Sequence, residues 1–99
     1  MNEYPTEEQL AQLRAMSLAT GAAHYDWLCA AKALWNCHYG RVTRGFGYWR
    51  FATGGWSGNE DIIDAMIENS LAWVVTWHKS ERGGLYVFYA PASDSAKGE

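Results

Sequence analysis

The chain is short of cysteine, has no surplus of basic charge and contains no long apolar run, and each shortage closes a class of explanation. Two cysteines, Cys29 and Cys37, are too few for a disulfide scaffold and fit a reducing compartment. On a single helix their Cα atoms stand about 12 Å apart, beyond the roughly 7 Å reach of a disulfide, so free thiols are expected. Eight Lys and Arg against eleven Asp and Glu give a net charge of −3. That sign opposes nonspecific binding to a phosphate backbone. No apolar run approaches the ~20 residues of a membrane span, and Met1-Asn2-Glu3-Tyr4-Pro5 shows neither the basic n-region nor the apolar h-region of a signal peptide. A cytoplasmic protein with no membrane association is the expectation.

What the chain does have is aromatic mass. Six Trp, six Tyr and three Phe occur in 99 residues, more than a small core readily encloses, and the excess points to an interface at the surface. Hydrophobic residues at 48% and charged ones at 19% give a globular balance. The length suits one domain able to fold alone. We place that domain at residues 1–91, with the polar 92–99 segment as a disordered tail.

Along the chain, Thr6-Glu7-Glu8-Gln9 is a capping-box pattern opening a helix expected over residues 7–20. His24, Trp27, Leu28, Ala31, Leu34, Trp35 and His38 recur at helical spacing, which predicts a second helix ending at Gly40; a strand through Tyr25 to Cys29 is the alternative. The period then becomes two. Over residues 41–53 one strand is expected, with Trp49, Phe51 and Thr53 on one face and Phe46, Tyr48 and Arg50 on the other. Ser57-Gly58-Asn59-Glu60 repeats the capping-box pattern before a helix whose buried face is Ile62, Ile63, Met66 and Ile67, with Asn69 as its C-terminal cap. Leu71, Trp73, Val75 and Trp77 alternate as a strand would. Leu85 to Tyr89 form its partner after a turn over Ser80 to Gly84, where glycine supplies positive φ.

The stretch TGGWSGNEDIIDAMIENSLAWVVTWHKSERGGLYVF, residues 53–88, resembles a block found in small bacteriophage- and prophage-encoded proteins. There a Gly-Gly-Trp-Ser-Gly-Asn-Glu turn opens a helix and an Arg-Gly-Gly turn joins two aromatic strands. The resemblance implies an accessory role in a bacterial host and brings no catalytic residue with it. A second likeness is local. Arg44-Gly45-Phe46-Gly47-Tyr48-Trp49-Arg50-Phe51 is similar to the RNP1 pattern of RNA-recognition domains, which implies Phe46 and Tyr48 as base-stacking residues and Arg44 as a phosphate contact. Tyr48 and Trp49 replace the usual Phe and Val, and the plainer reading is an antiparallel strand with aromatic cross-strand pairs.

Other constellations reduce to structure. The glycine loop before Glu60, Asp61 and Asp64 has the form of a phosphate cradle, but those acids already complement the helix dipole and would repel an anion. His24, Cys29, Cys37 and His38 match no zinc spacing, and Cys37-His38 has no orienting acid to make a nucleophile of it. No catalytic residue, metal ligand or cofactor is assigned, and the chain is not expected to be an enzyme.

The fold expected is a small α+β domain in the order ααβαββ, with helices on one face of a three-stranded antiparallel sheet. The second face is then the binding surface, and Phe46, Tyr48, Arg50 and Tyr86 are the candidate binding residues. The partner expected is a protein, either a host component such as a defence enzyme or a second copy of the chain. Single-stranded RNA or DNA binding through Arg44 to Phe51 is the alternative.

Overall fold

At the N-terminus the Thr6 hydroxyl accepts from the Gln9 amide at 3.1 Å while the Gln9 side chain accepts from the Thr6 amide at 2.8 Å. This capping box starts α1, Glu7–Ala15, as the sequence pattern predicts. The structure, a computed structural model, describes residues 4–17, 23–45 and 47–90. The 92–99 segment expected as a tail therefore lies outside the described residues, as does Phe46.

After α1 come α2 (Ala23–Leu34), β1 (Arg41–Gly45), β2 (Tyr48–Ala52), α3 (Ser57–Glu68), α4 (Ser70–Thr76), β3 (Trp77–Glu81) and β4 (Leu85–Tyr89). The α+β class holds, but the strands form a four-stranded antiparallel sheet in the order β1-β2-β4-β3. The expected count of three and the order ααβαββ are corrected by two local events. Residues 41–53 are a hairpin rather than one strand, because the chain reverses at Gly47, whose φ is 84°, a conformation open to glycine at little cost.

The second event is α4. Leu71, Trp73 and Val75 alternate as in a strand, yet residues 70–76 are helical and β3 begins only at Trp77. Helical spacing turns Ala72 and Thr76, four residues apart, into the core, and the Thr76 hydroxyl donates back to the Ala72 carbonyl. Burial thus overrides the strand preference of the Val74-Val75 pair. The turn between β3 and β4 narrows to residues 82–84, with Gly83 and Gly84 both at positive φ, as expected there.

The core lies between the helices and one face of the sheet. Trp49 and Phe51 of β2 and Phe88 of β4 point into it, each at most 1% exposed. Trp27 and Trp73 meet Phe88 edge-on at 6.3 and 5.3 Å, Trp35 meets Phe51 at 5.0 Å, and Tyr25 meets Trp49 at 5.5 Å. Buried indoles retain their polar partners, since Trp27 Nε1 donates to the Leu13 carbonyl and Trp35 Nε1 to that of Ala52.

Asn69 closes α3 as expected, and its side chain also donates to the carbonyls of Leu13 and Met16, both at 2.9 Å. It therefore satisfies the C-terminal end of α1 from across the core. Ile62, Ile63 and Met66 are buried as predicted. Ile67 is not.

Candidate functional site

Alternation in β2 fixes what faces outward. With Trp49 and Phe51 in the core, Tyr48, Arg50 and Ala52 stand on the opposite side of the sheet. The register sets Tyr89 beside Tyr48 and Val87 beside Arg50 in β4, and Lys79 beside Val87 in β3. The helices' aromatic contacts all go to the other face. Among the described residues this face carries no helix.

Its features are an aromatic cluster and a row of charges. Tyr48 lies 4.7 Å from Tyr89 and 5.2 Å from His78, ring centre to ring centre. Tyr89 and His78 are exposed and Tyr48 is half-buried, so the three rings form a partly open platform. Beside it, Lys79 Nζ pairs with Glu81 Oε2 at 2.9 Å. The hydrogen bond from Lys79, its charge and the charge of Arg50 hold the Glu81 carboxyl below its ordinary range. Val87, between Arg50 and Lys79, is 2% exposed, as expected where the stems of long cations lie along apolar surface.

The acidic net charge is unevenly spread. Arg41, Arg44, Arg50, Lys79 and Arg82 sit in the strands or the turn between β3 and β4, against Glu81. The helices hold Glu7, Glu8, Asp26, Glu60, Asp61, Asp64 and Glu68 against Arg14 and Lys32. The sheet is therefore a basic half on an acidic molecule.

Of the four residues singled out in the sequence, Tyr48 and Arg50 share this open face. Tyr86 does not join them. It pairs with Phe51 and meets Trp73 at 6.2 Å, half-buried on the helix side, because it stands one residue out of phase with Tyr89. Phe46 lies outside the described residues. Tyr89 and His78 join Tyr48 in their place, and the alternation of β4 alone puts Tyr89 on the face opposite Tyr86.

The RNP1-like segment is not one strand. Arg44 belongs to β1 and Tyr48 to β2, with the hairpin turn between them. Arg44 also faces the helices, where its guanidinium lies 4.5 Å from the Trp49 ring centre and 4.9 Å from that of Tyr25, a cation–π contact. It is turned away from the open face.

The glycine loop before α3 is occupied with its own structure. The Gly55 amide donates to the Thr53 hydroxyl and the Trp56 amide to the Thr53 carbonyl. The Trp56 ring stacks on Tyr39 at 4.9 Å and touches Tyr4 at 4.7 Å. Buried Asn59 ties the loop down, accepting from the Asn36 amide at 2.9 Å and donating to the carbonyls of Asn36 and Thr53. The expected cap at Ser57 is not formed. Trp56 is the N-cap, with no side-chain bond to the helix, and the Ser57 hydroxyl meets the Tyr4 hydroxyl at 2.9 Å.

Cys29 and Cys37 are free, the first half-buried in α2 and the second exposed in the turn after it. Burial pushes the Cys29 thiol up, partly offset by the charge of Arg44. Among the described residues no three His, Cys, Asp or Glu side chains come together as a metal site, and no helix is long and apolar enough to cross a membrane. A groove of about 210 Å³ between α1 and α2 is lined by Gln9, Gln12, Leu13, Ala30, Ala33 and Leu34. Those walls offer neither acid nor base. No family model, no curated protein and no solved structure matches this chain.

Proposed function

We propose that this chain is a non-enzymatic binding module that docks a protein partner on the open face of its sheet, as a phage or prophage accessory factor in the bacterial cytoplasm. The observation that carries the binding role is the platform of Tyr48, Tyr89 and His78 beside Arg50 on a face without a helix. Tyr and Arg are the side chains that most often anchor protein interfaces, and the basic sheet favours an acidic patch on the partner. The phage setting rests on the resemblance of residues 53–88 and on nothing in the geometry.

Affinity capture from a bacterial host lysate, with and without nuclease, tests this reading when wild type and Tyr48→Ala are run together. A protein recovered by wild type regardless of nuclease, and bound by Tyr48→Ala about 2 kcal/mol or more weaker, is the expected result.

The segregated charge favours a second reading. Stacking rings beside cations are what single-stranded nucleic acids use, and the net charge of −3 understates the basicity of the sheet. Arg44 drops out of that reading because it faces the helices, leaving Tyr48, Tyr89 and His78 to stack and Arg50 and Lys79 to meet phosphate. Submicromolar binding of mixed-sequence RNA or DNA at physiological salt, lost in Tyr48→Ala, would put this reading first.

A further inference from the structure

The sheet ends at β3, whose five residues are all exposed. The helix feeding that strand is inverted. In α4, Leu71, Val74 and Val75 are 65%, 72% and 47% exposed, while Ala72 and Thr76 fill the core. At 100° per residue the three aliphatic side chains share one outward stripe about 100° wide, and Ile67, just before α4, is exposed as well. An uncharged aliphatic ridge on the helix that leads into an edge strand is the composition of an interface rather than of a solvated surface.

The β3 edge carries its own complement. Lys79 and Glu81 lie two residues apart on one face and pair with each other within the strand at 2.9 Å. In antiparallel pairing about a two-fold axis, directly opposed residues share a face, so the axis must pass through a residue. Centring on Lys79 opposes lysine to lysine, and centring on Glu81 opposes glutamate to glutamate. Centring on Ser80 sets Lys79 against the second copy's Glu81, twice over, as a self-complementary contact requires. We propose that a second copy of this chain docks here, with the β3 edges joined antiparallel about Ser80 and the α4 ridges packed together beside the join.

The position of α4 suits this arrangement. Trp73 stacks on Trp77 of β3 and packs on Phe88 of β4, so α4 covers the β3 end of the sheet, and pairing along β3 brings the second α4 to the same place. The joined sheet has eight strands by doubling the four here. It carries two platforms on one continuous face, each with its His78 at the join. The proposal stands on β3 and α4 and does not depend on what the open face binds. A Tyr48→Ala chain that stays dimeric while losing its partner separates the two.

Sedimentation equilibrium across a concentration series tests it. Wild type is expected to dimerise in the micromolar range or tighter. Lys79→Glu and Glu81→Lys should each weaken the dimer about tenfold or more, and the double exchange should return to within about threefold of wild type. An equimolar mixture of the two single variants should form a heterodimer tighter than either homodimer, since every opposed pair is then Glu against Lys. Val74→Lys, at an exposed position, should leave the thermal unfolding of the monomer intact and weaken the dimer by about a hundredfold. A wild type that is monomeric at ~100 μM, single exchanges without effect, a double exchange that fails to rescue, or a Val74→Lys chain that dimerises like wild type would each overturn the proposal.

Discussion

Phe88 and Tyr89 are neighbours in one strand and live in different solvents. Phe88 is fully buried among Trp27, Phe51 and Trp73, whereas Tyr89 is 45% exposed beside Tyr48. The contrast shows how a chain so rich in aromatics uses them: one face of the sheet turns them into a core and the other keeps them at the surface. The two faces should therefore fail differently. Phe88→Ala should cost about 3 to 5 kcal/mol, which in a domain of this size leaves little net stability. Tyr89→Ala removes a cross-strand pair worth about 0.2 to 1 kcal/mol. Chemical denaturation of both variants measures the gap, and equal losses would mean that the open face is packed after all.

The same alternation that separates these residues was legible in the sequence of β2, where Trp49 and Phe51 face the core and Tyr48 and Arg50 do not. It was not legible that the segment begins as a hairpin. Each strand of the hairpin keeps its own period of two, but the turn shifts the phase, so that Val42 and Arg44 share the face of Phe51 and Trp49, and the glycines at 45 and 47 fit a weakened strand as well as a turn. In residues 71–77 the pattern misled for another reason. Large apolar side chains at every second position spell a half-buried strand, but the helix formed there is held by its small residue, Ala72, and by Thr76, while its large aliphatic side chains face outward. A reading that assigns large apolar residues to the core cannot find a helix with that polarity. Tyr86 follows from the same alternation: it and Tyr89 stand three residues apart in β4 and so fall on opposite faces, and the pairing of Tyr86 with Phe51 says which of the two is the inner one.

The segment of residues 53–59, the loop before α3 and the first residues of that helix, sharpens the comparison from the polar side. The open face presents its polar groups to solvent, whereas Asn59 is fully buried and uses both ends of its amide to join residue 36 to residue 53. Asn59→Ala strands the Asn36 amide and weakens the satisfaction of two carbonyls, and each buried polar group left without a partner costs about 1 to 3 kcal/mol. A loss of about that size in thermal or denaturant unfolding is expected. Arg50→Ala, on the open face, should change stability by no more than about 0.5 kcal/mol. If the two variants unfold alike, Asn59 is not the tie that joins residues 36 and 53 to the start of α3.

The smallest contrast separates two copies of one sequence pattern. Thr6 through Gln9 and Ser57 through Glu60 both read as capping boxes, and the first forms both reciprocal bonds. At the second, the chain enters the helix one residue early because the Trp56 ring is pinned between Tyr39 and Tyr4, which makes Trp56 the N-cap and puts Ser57 inside the first turn. Thr6→Ala therefore removes an acceptor for an otherwise unpaired helix amide and should cost about 1 kcal/mol. Ser57→Ala removes only the contact between its hydroxyl and that of Tyr4, which is solvent-exposed, so water can replace it and the loss should stay below about 0.5 kcal/mol. Paired thermal unfolding of the two variants decides between them. A Ser57→Ala loss as large as that of Thr6→Ala would mean that Ser57 caps α3 in solution and that the aromatic clamp on Trp56 is looser than its geometry.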